Sequence, residues 1–365
     1  MNAAASSAIA NATSKPYLIG SSSTLNTPES GVGANGQGLL NSNHGQEGGI
    51  RVADDFDRRA IPASAREGNW TATDGHAIRL IEWAAPDVAA RGSLLFVVGR
   101  GDAYEKYLET LEHWRRGGWQ VTALEWRGQG GSGRLGFDAV TGHIDSFDAW
   151  LADLDLFWRG WAREHRGKRV LAGHSMGGHL VLRALAGAML EPLPDAVLLS
   201  APMLDIHPEW VPLRLRQALA GALCRIGDPR RPAWKWSEKP GEVPAARQAL
   251  LTHDAERYAD ELWWRGERPE LVMGPGSWGW VKAALASTAE LERPGALEAV
   301  AMPVLIVATA ADALVGVAAT RRAARRLPHA HLVLFGAESR HEILRESDPV
   351  RGRALNAIDA FLDRL

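Results

Sequence analysis

Apolar and polar positions alternate between two rhythms along most of this chain. From Asn69 onward, short apolar runs with strand character trade places with stretches of helical periodicity, and that alternation predicts a mostly parallel sheet flanked by helices. A polar turn at Thr73, Asp74 and Gly75 predicts a hairpin at the start. Strands are expected at Ser93–Val98, Trp119–Trp126, Arg169–Gly173 and Ala196–Ser200, with helices at Tyr104–Arg116, Phe147–Glu164 and Met176–Met189. After Ser200 the rhythm stops for roughly ninety residues, too long for a simple connection. It resumes with Val304–Thr309, Ala318–Leu327, His331–Phe335 and a closing helix at Val350–Leu365.

The interrupted stretch, 205–292, reads as helical and holds Trp210, Trp234, Trp236, Trp263, Trp264, Trp278 and Trp280, seven of the fifteen tryptophans. A helical cap inserted into one α/β domain accounts for it, with 51–204 and 293–365 as the core. Indole rings there suggest an apolar pocket, with plain core packing as the other reading. Residues 1–50 are rich in Ser, Asn, Gly and Ala, a composition that buries too little surface to offset ordering entropy, so a disordered tail is expected. Gly31, Gly33 and Gly36 fall in G-x-G-x-x-G spacing within that tail, but no strand precedes them and no helix follows.

Composition narrows the function classes. A net charge of -2 lacks the basic footprint of a nucleic-acid binder. The single cysteine, Cys224, excludes an internal disulfide framework and a cysteine-rich zinc site. Met1–Ile9 shows neither the basic nor the long apolar region of a secretory signal, and no run approaches the ~18 apolar residues of a spanning helix. A cytoplasmic protein is expected, with peripheral membrane contact open. Arg321, Arg322, Arg325 and Arg326, at i, i+4 spacing, form a basic helix face that is either simply solvated or a surface for anionic lipid.

The chemistry concentrates at Gly173, His174, Ser175, Met176 and Gly177, the G-x-S-x-G nucleophile elbow between an apolar strand and a helix. Small residues two before and two after the serine are what so tight a turn demands. A serine hydroxyl needs a base and an acid to orient it, in the chain order Ser, Asp or Glu, then His. Asp312, after the strand ending at Thr309, and His341, after the strand ending at Phe335, supply that order. Asp205 is the second choice for the acid, and Glu338 a further rival. Gly99, Arg100 and Gly101 follow the strand that should feed an oxyanion hole, making the backbone amides of Arg100 and Met176 the candidate donors.

Two decoys need weighing. Gly128, Gly130 and Gly133 again match G-x-G-x-x-G, but Arg134–Thr141 does not read as the helix a dinucleotide fingerprint opens into. His329 and His331 share a strand face without further ligands nearby. No cofactor or metal is expected.

These residues resemble the monoglyceride lipase and lysophospholipase branch of the α/β-hydrolases, grouped with the serine aminopeptidases, over residues 70 to 365. The resemblance rests on Gly99–Asp102 with Tyr107, on Trp126–Gly130 with Ser132, on Gly173–Gly178, on Asp312 with Val315, and on His341 with Glu342. Bacterial lysophospholipase L2-like members share the Gly-Arg-Gly loop. The resemblance implies an α/β-hydrolase fold and hydrolysis of one acyl ester of a monoacyl lipid. It puts Ser175, Asp312 and His341 on the triad, and Arg100 and Met176 on the oxyanion amides. Val98 departs from the usual histidine, and Glu125 stands where many relatives have aspartate. A peptidase or small-ester carboxylesterase remains open, the former if a cap acid such as Glu261 or Glu267 binds a free amino terminus. So does an inactive binding homologue.

Overall fold

A computed structural model describes residues 56–86, 90–235 and 245–365; the tail expected at 1–50 and Trp236 lie outside them. Eight strands form one sheet: β1 (Ala65–Thr71), β2 (Ala77–Trp83), β3 (Gly92–Val97), β4 (Trp119–Leu124), β5 (Lys168–His174), β6 (Ala196–Ser200), β7 (Val304–Thr309) and β8 (Ala330–Phe335). Their order is β1-β2-β4-β3-β5-β6-β7-β8. The predicted hairpin is β1 and β2, antiparallel, and β2 joins β4 antiparallel; every later pairing is parallel. The α/β-hydrolase expectation holds.

Strands β3, β6 and β7 are buried along their whole length, because helices cover both faces of a parallel sheet. Their sequences are accordingly continuous apolar runs such as Leu94–Val97. The helices among the described residues are α1 (Leu108–Arg116), α2 (Asp148–Glu164), α3 (Met176–Ala186), α4 (Leu213–Ile226), α5 (Ala245–Leu251), α6 (Ala255–Glu267), α7 (Trp278–Leu291), α8 (Val317–Arg326) and α9 (Asp348–Leu362).

The stretch expected to be one helix from Tyr104 breaks into a 3-10 turn, Tyr104–Tyr107, before α1. Local bonding explains the tightening. The Lys106 amide donates to the Ala103 carbonyl at 3.2 Å, the i→i+3 bond of the tighter turn, while the Tyr107 hydroxyl and the Lys106 ammonium reach back to the Asp102 carboxylate at 2.9 and 2.5 Å.

Helices α4 to α7 occupy the stretch between β6 and β7. Ser277 caps α7 by accepting from the Trp280 amide at 3.0 Å, and Asp254 caps α6 at the Arg257 amide. Helix α7 is anchored to the sheet layer: Ser287 bonds His179 and Arg183 of α3 at 2.7 and 3.0 Å, and Trp280, Ala283 and Ala284 join the main core. Helix α4 packs outside α7, with Gln217 donating to the Leu285 carbonyl at 3.0 Å. No described helix is long and apolar enough to cross a membrane.

The connection from β3 leads to β4 on one side of it, whereas the chain returns to place β5 on its other side. Loops leaving the carboxyl ends of β3 and β5 therefore diverge, which opens the crevice where open parallel sheets bind ligands.

Candidate active site

Ser175 stands at that crevice, between β5 and α3, with φ of 50°, a backbone conformation uncommon outside glycine. Its amide donates to the Ser200 carbonyl at 2.9 Å, and its carbonyl accepts from the His179 and Met203 amides, so the turn is held from three sides. The flanking glycines are sterically required. A Cβ on Gly173 would lie 2.7 Å from the Gly178 nitrogen, and one on Gly177 would lie 2.4 Å from the Val98 carbonyl oxygen.

The structure brings the three side chains expected from sequence into one hydrogen-bonded row. Ser175 Oγ lies 2.9 Å from His341 Nε2, and His341 Nδ1 lies 2.7 Å from Asp312 Oδ2. Asp312 Oδ1 accepts the amides of Leu314 and Val315 at 2.9 and 3.1 Å, which fixes the carboxylate plane. An ionised carboxylate only accepts, so the proton between it and the ring sits on Nδ1, and Nε2 is left to accept from the serine.

His341 and Asp312 are both buried. Burial by itself lowers the His341 pKa, but the Asp312 charge and hydrogen bond overcome it, and Glu342 and Asp102 act in the same upward direction; the net shift is upward from 6.5. Burial works against the Asp312 charge, and His341 with the two backbone amides more than compensates, leaving the carboxyl below its usual value.

The loop after β3 runs against the serine: a Cβ on Gly99 would come within 3.2 Å of Ser175 Cβ. Its amides are allotted in sequence. Gly99 N donates to Asp102 Oδ2 at 3.1 Å and Gly101 N to Gln129 Oε1 at 2.9 Å, with the Arg100 amide between them. Met176 opens α3, where first-turn amides have no acceptor within the helix and the positive dipole end lies. Val98, in place of the more usual histidine, is buried and accepts from Trp126 Nε1 at 2.7 Å.

Gln129 enters the sequence reading only within Trp126–Gly130 and Lys106 not at all, and neither is assigned its role in this loop there. Only the i, i+4 spacing of Asp102 and Lys106 hints at a pair; Glu342, which Lys106 also holds, lies 236 residues away in sequence.

The rivals fall elsewhere. Asp205 makes a two-point ion pair with Arg216, at 2.7 and 3.0 Å, and Glu338 pairs with Arg353 at the surface. Gly128, Gly130 and Gly133 all take positive φ in a loop folded around Glu125, whose carboxylate accepts from Arg79, Gly131 N and Ser132 Oγ. Of the basic α8 face, Arg322 and Arg326 bond Glu292 and Glu298. The tryptophans divide: Trp264 and Trp280 are core residues, Trp210 is 81% exposed, and Trp234 and Trp280 face the Arg100 guanidinium at 5.1 and 5.2 Å. Among the described residues, no three His, Cys, Asp or Glu side chains gather as a metal site.

Comparison with known proteins identifies the family. The family model described as serine aminopeptidase, S33, matches residues 88–348. Lysophospholipase L2 of Escherichia coli K12 is 29% identical over 312 residues, covering 82% of this chain and 87% of that protein. The probable lysophospholipase L2 of Haemophilus influenzae is 24% identical over 288 residues, 76% of this chain and 86% of that one. A soluble variant of monoglyceride lipase from Saccharomyces cerevisiae shares the fold with a TM-score of 0.65 at 19% identity, covering 85% of this chain and 97% of that one. The monoacylglycerol lipase of Paleococcus ferrophilus does so at 0.59 and 23%, covering 78% and 98%. The chain is thus an α/β-hydrolase belonging to the serine aminopeptidase, S33, family.

Proposed function

We propose that this protein hydrolyses a carboxylic ester of a monoacyl lipid, as a lysophospholipase or monoacylglycerol lipase. The observation that carries the chemistry is the continuous row from Asp312 through His341 to Ser175 at a positive-φ elbow. His341 Nε2 takes the Ser175 proton as Oγ attacks the ester carbonyl, and the Arg100 and Met176 amides hold the oxyanion. The imidazolium then protonates the departing alcohol. Water, activated by the same base, releases the fatty acid from the acyl-enzyme. Asp312 keeps the ring in the productive tautomer and stabilises its charged form. No cofactor enters these steps. The lipid substrate is supported by the relatives named lysophospholipase L2.

The segment 205–292 serves in this reading as a cap, with α7 as its root. A peripheral membrane contact fits the cap better than the α8 arginines, two of which are engaged by acids. Leu215, Leu219, Ile226 and Trp210 are exposed on or beside α4, close in sequence to Arg214, Arg225 and Lys235. Co-sedimentation with anionic vesicles should fall when Leu215 and Leu219 are both changed to Glu; unaltered binding would exclude that face.

The peptidase reading loses one of its two candidate cap acids, because buried Glu261 is engaged by Lys106, Arg265 and Arg345. The deciding experiment compares wild type and Ser175→Ala on monoacylglycerol, lysophosphatidylcholine, short p-nitrophenyl esters and aminoacyl amides. Serine-dependent cleavage of the monoacyl lipids is expected. Cleavage of amides or short esters alone would overturn the lipid assignment, and no cleavage at all would favour an inactive binding protein.

A further inference from the structure

Beside His341 lies a knot of buried charge for which the hydrolytic steps have no use. Lys106 Nζ, itself buried, contacts Asp102 Oδ1 at 2.5 Å, Glu342 Oε1 at 2.7 Å and Glu261 Oε2 at 3.2 Å. The three acids come from three places: the loop after β3, helix α6, and the residue next to His341. Asp102 uses its second oxygen to accept the Gly99 amide and the Tyr107 hydroxyl. Arg345 closes the far side, donating to Glu261 at 2.8 Å and to Glu342.

A buried ion network is weak evidence for stability, since desolvation offsets much of the attraction and apolar side chains fill the same space. Apolar filling would not, however, bond one loop to another at a set distance. We propose that Lys106 is a positioning residue for hydrolysis, bonding the Gly99–Gly101 loop to the His341 loop through Asp102 and Glu342 and balancing the charge beside the imidazole. The inference rests on the Ser175–His341–Asp312 reading.

The charge balance gives it a signature of its own. His341 faces Ser175, Asp312, the His174 ring at 5.0 Å between centroids, and the charges of Glu342 and Asp102; from α5, the Leu250 and Leu251 carbonyls accept the His341 and Glu342 amides, and Arg247 is the charged residue that helix carries. Around Lys106 stand Asp102, Glu261, Glu342 and, as the opposing cation, Arg345. Removing the ammonium leaves more negative charge near the imidazole and favours its protonation. Removing the Glu342 charge does the reverse. Hydrolysis needs the neutral ring, so the acid limb of the rate profile should move up in the first case and down in the second.

The test takes the full chain as wild type, Lys106→Met, Lys106→Arg, Glu342→Gln and Ser175→Ala. It measures kcat and KM on p-nitrophenyl butyrate from about pH 5 to about pH 9, with thermal melts alongside. Lys106→Met should lose about tenfold to a hundredfold in kcat with KM nearly constant, since a displaced catalytic group costs rate more than binding. Its acid limb should rise by about half a pH unit, and that of Glu342→Gln should fall by a similar amount. Lys106→Arg, which retains the charge, should keep the wild-type limb and recover most of kcat.

Limbs that stay put, or that move the same way in both variants, overturn the inference, as does wild-type kcat in Lys106→Met. If Lys106→Met does not fold, the other pair decides: an unmoved limb for Lys106→Arg and a lowered one for Glu342→Gln sustain the inference, and any other pattern sinks it. A Ser175→Ala protein as active as wild type would refute the underlying triad reading instead.

Discussion

Replacing Asp312 with Asn should invert the histidine without disturbing its surroundings. The side chain must still satisfy the Leu314 and Val315 amides, which donate to Oδ1 at 2.9 and 3.1 Å, so the Asn carbonyl oxygen has to occupy that position. Its NH2 group then sits where Oδ2 was, 2.7 Å from His341 Nδ1. A donor there forces Nδ1 to accept, which moves the ring proton to Nε2. An Nε2–H facing Ser175 Oγ at 2.9 Å cannot take the serine proton. Loss of the correct tautomer in such a triad costs on the order of 10⁴ in kcat, about 5 kcal/mol of transition-state stabilisation. The two retained backbone hydrogen bonds should keep the melting temperature near wild type. Initial rates on p-nitrophenyl butyrate give the magnitude, and a melt checks the fold. An Asp312→Asn protein within tenfold of wild-type kcat would refute the reasoning, because His341 would then be working without the orientation assigned to it.

Three further outcomes follow from the same geometry. Because the His341 pKa lies above 6.5 and only the neutral ring accepts the serine proton, kcat/KM should fall as pH drops through that raised value; a profile flat down to about pH 5 would contradict this. Gly177→Ala would push a Cβ to 2.4 Å from the Val98 carbonyl and 2.5 Å from that of Val97, both backbone atoms, and should cost about 3 kcal/mol or more, seen as a lowered melt or insoluble protein. Gln129 is fully buried, its oxygen accepts the Gly101 amide, and its Nε2 has no hydrogen-bond partner among the described residues. Gln129→Met should therefore lower kcat by roughly tenfold through loosening the Gly99–Gly101 loop, and an unchanged kcat would show that the loop is held well enough by Asp102 alone.

The sequence by itself determined the fold class and the positions of nearly every core strand, and it narrowed the site to a few side chains, among them the Ser175, Asp312 and His341 that the structure joins by hydrogen bonds. The physical reason is that these depend on local rules. Strands buried on both faces must be continuously apolar, a tight strand-to-helix turn must carry Gly173 and Gly177, and residues after parallel strands gather at one sheet edge. Tertiary structure alone decided which of the available charges serve the site. Asp205 and Asp312 both follow strands of the same sheet, and only folding gives the first to Arg216 and the second to His341. Glu261, legible only as a cap acid, becomes part of the knot around Lys106, and the row of cap tryptophans separates into core, surface and Arg100 neighbours. No periodicity carries such pairings, because they join side chains as far as 236 residues apart, brought together when the sheet and the segment between β6 and β7 pack.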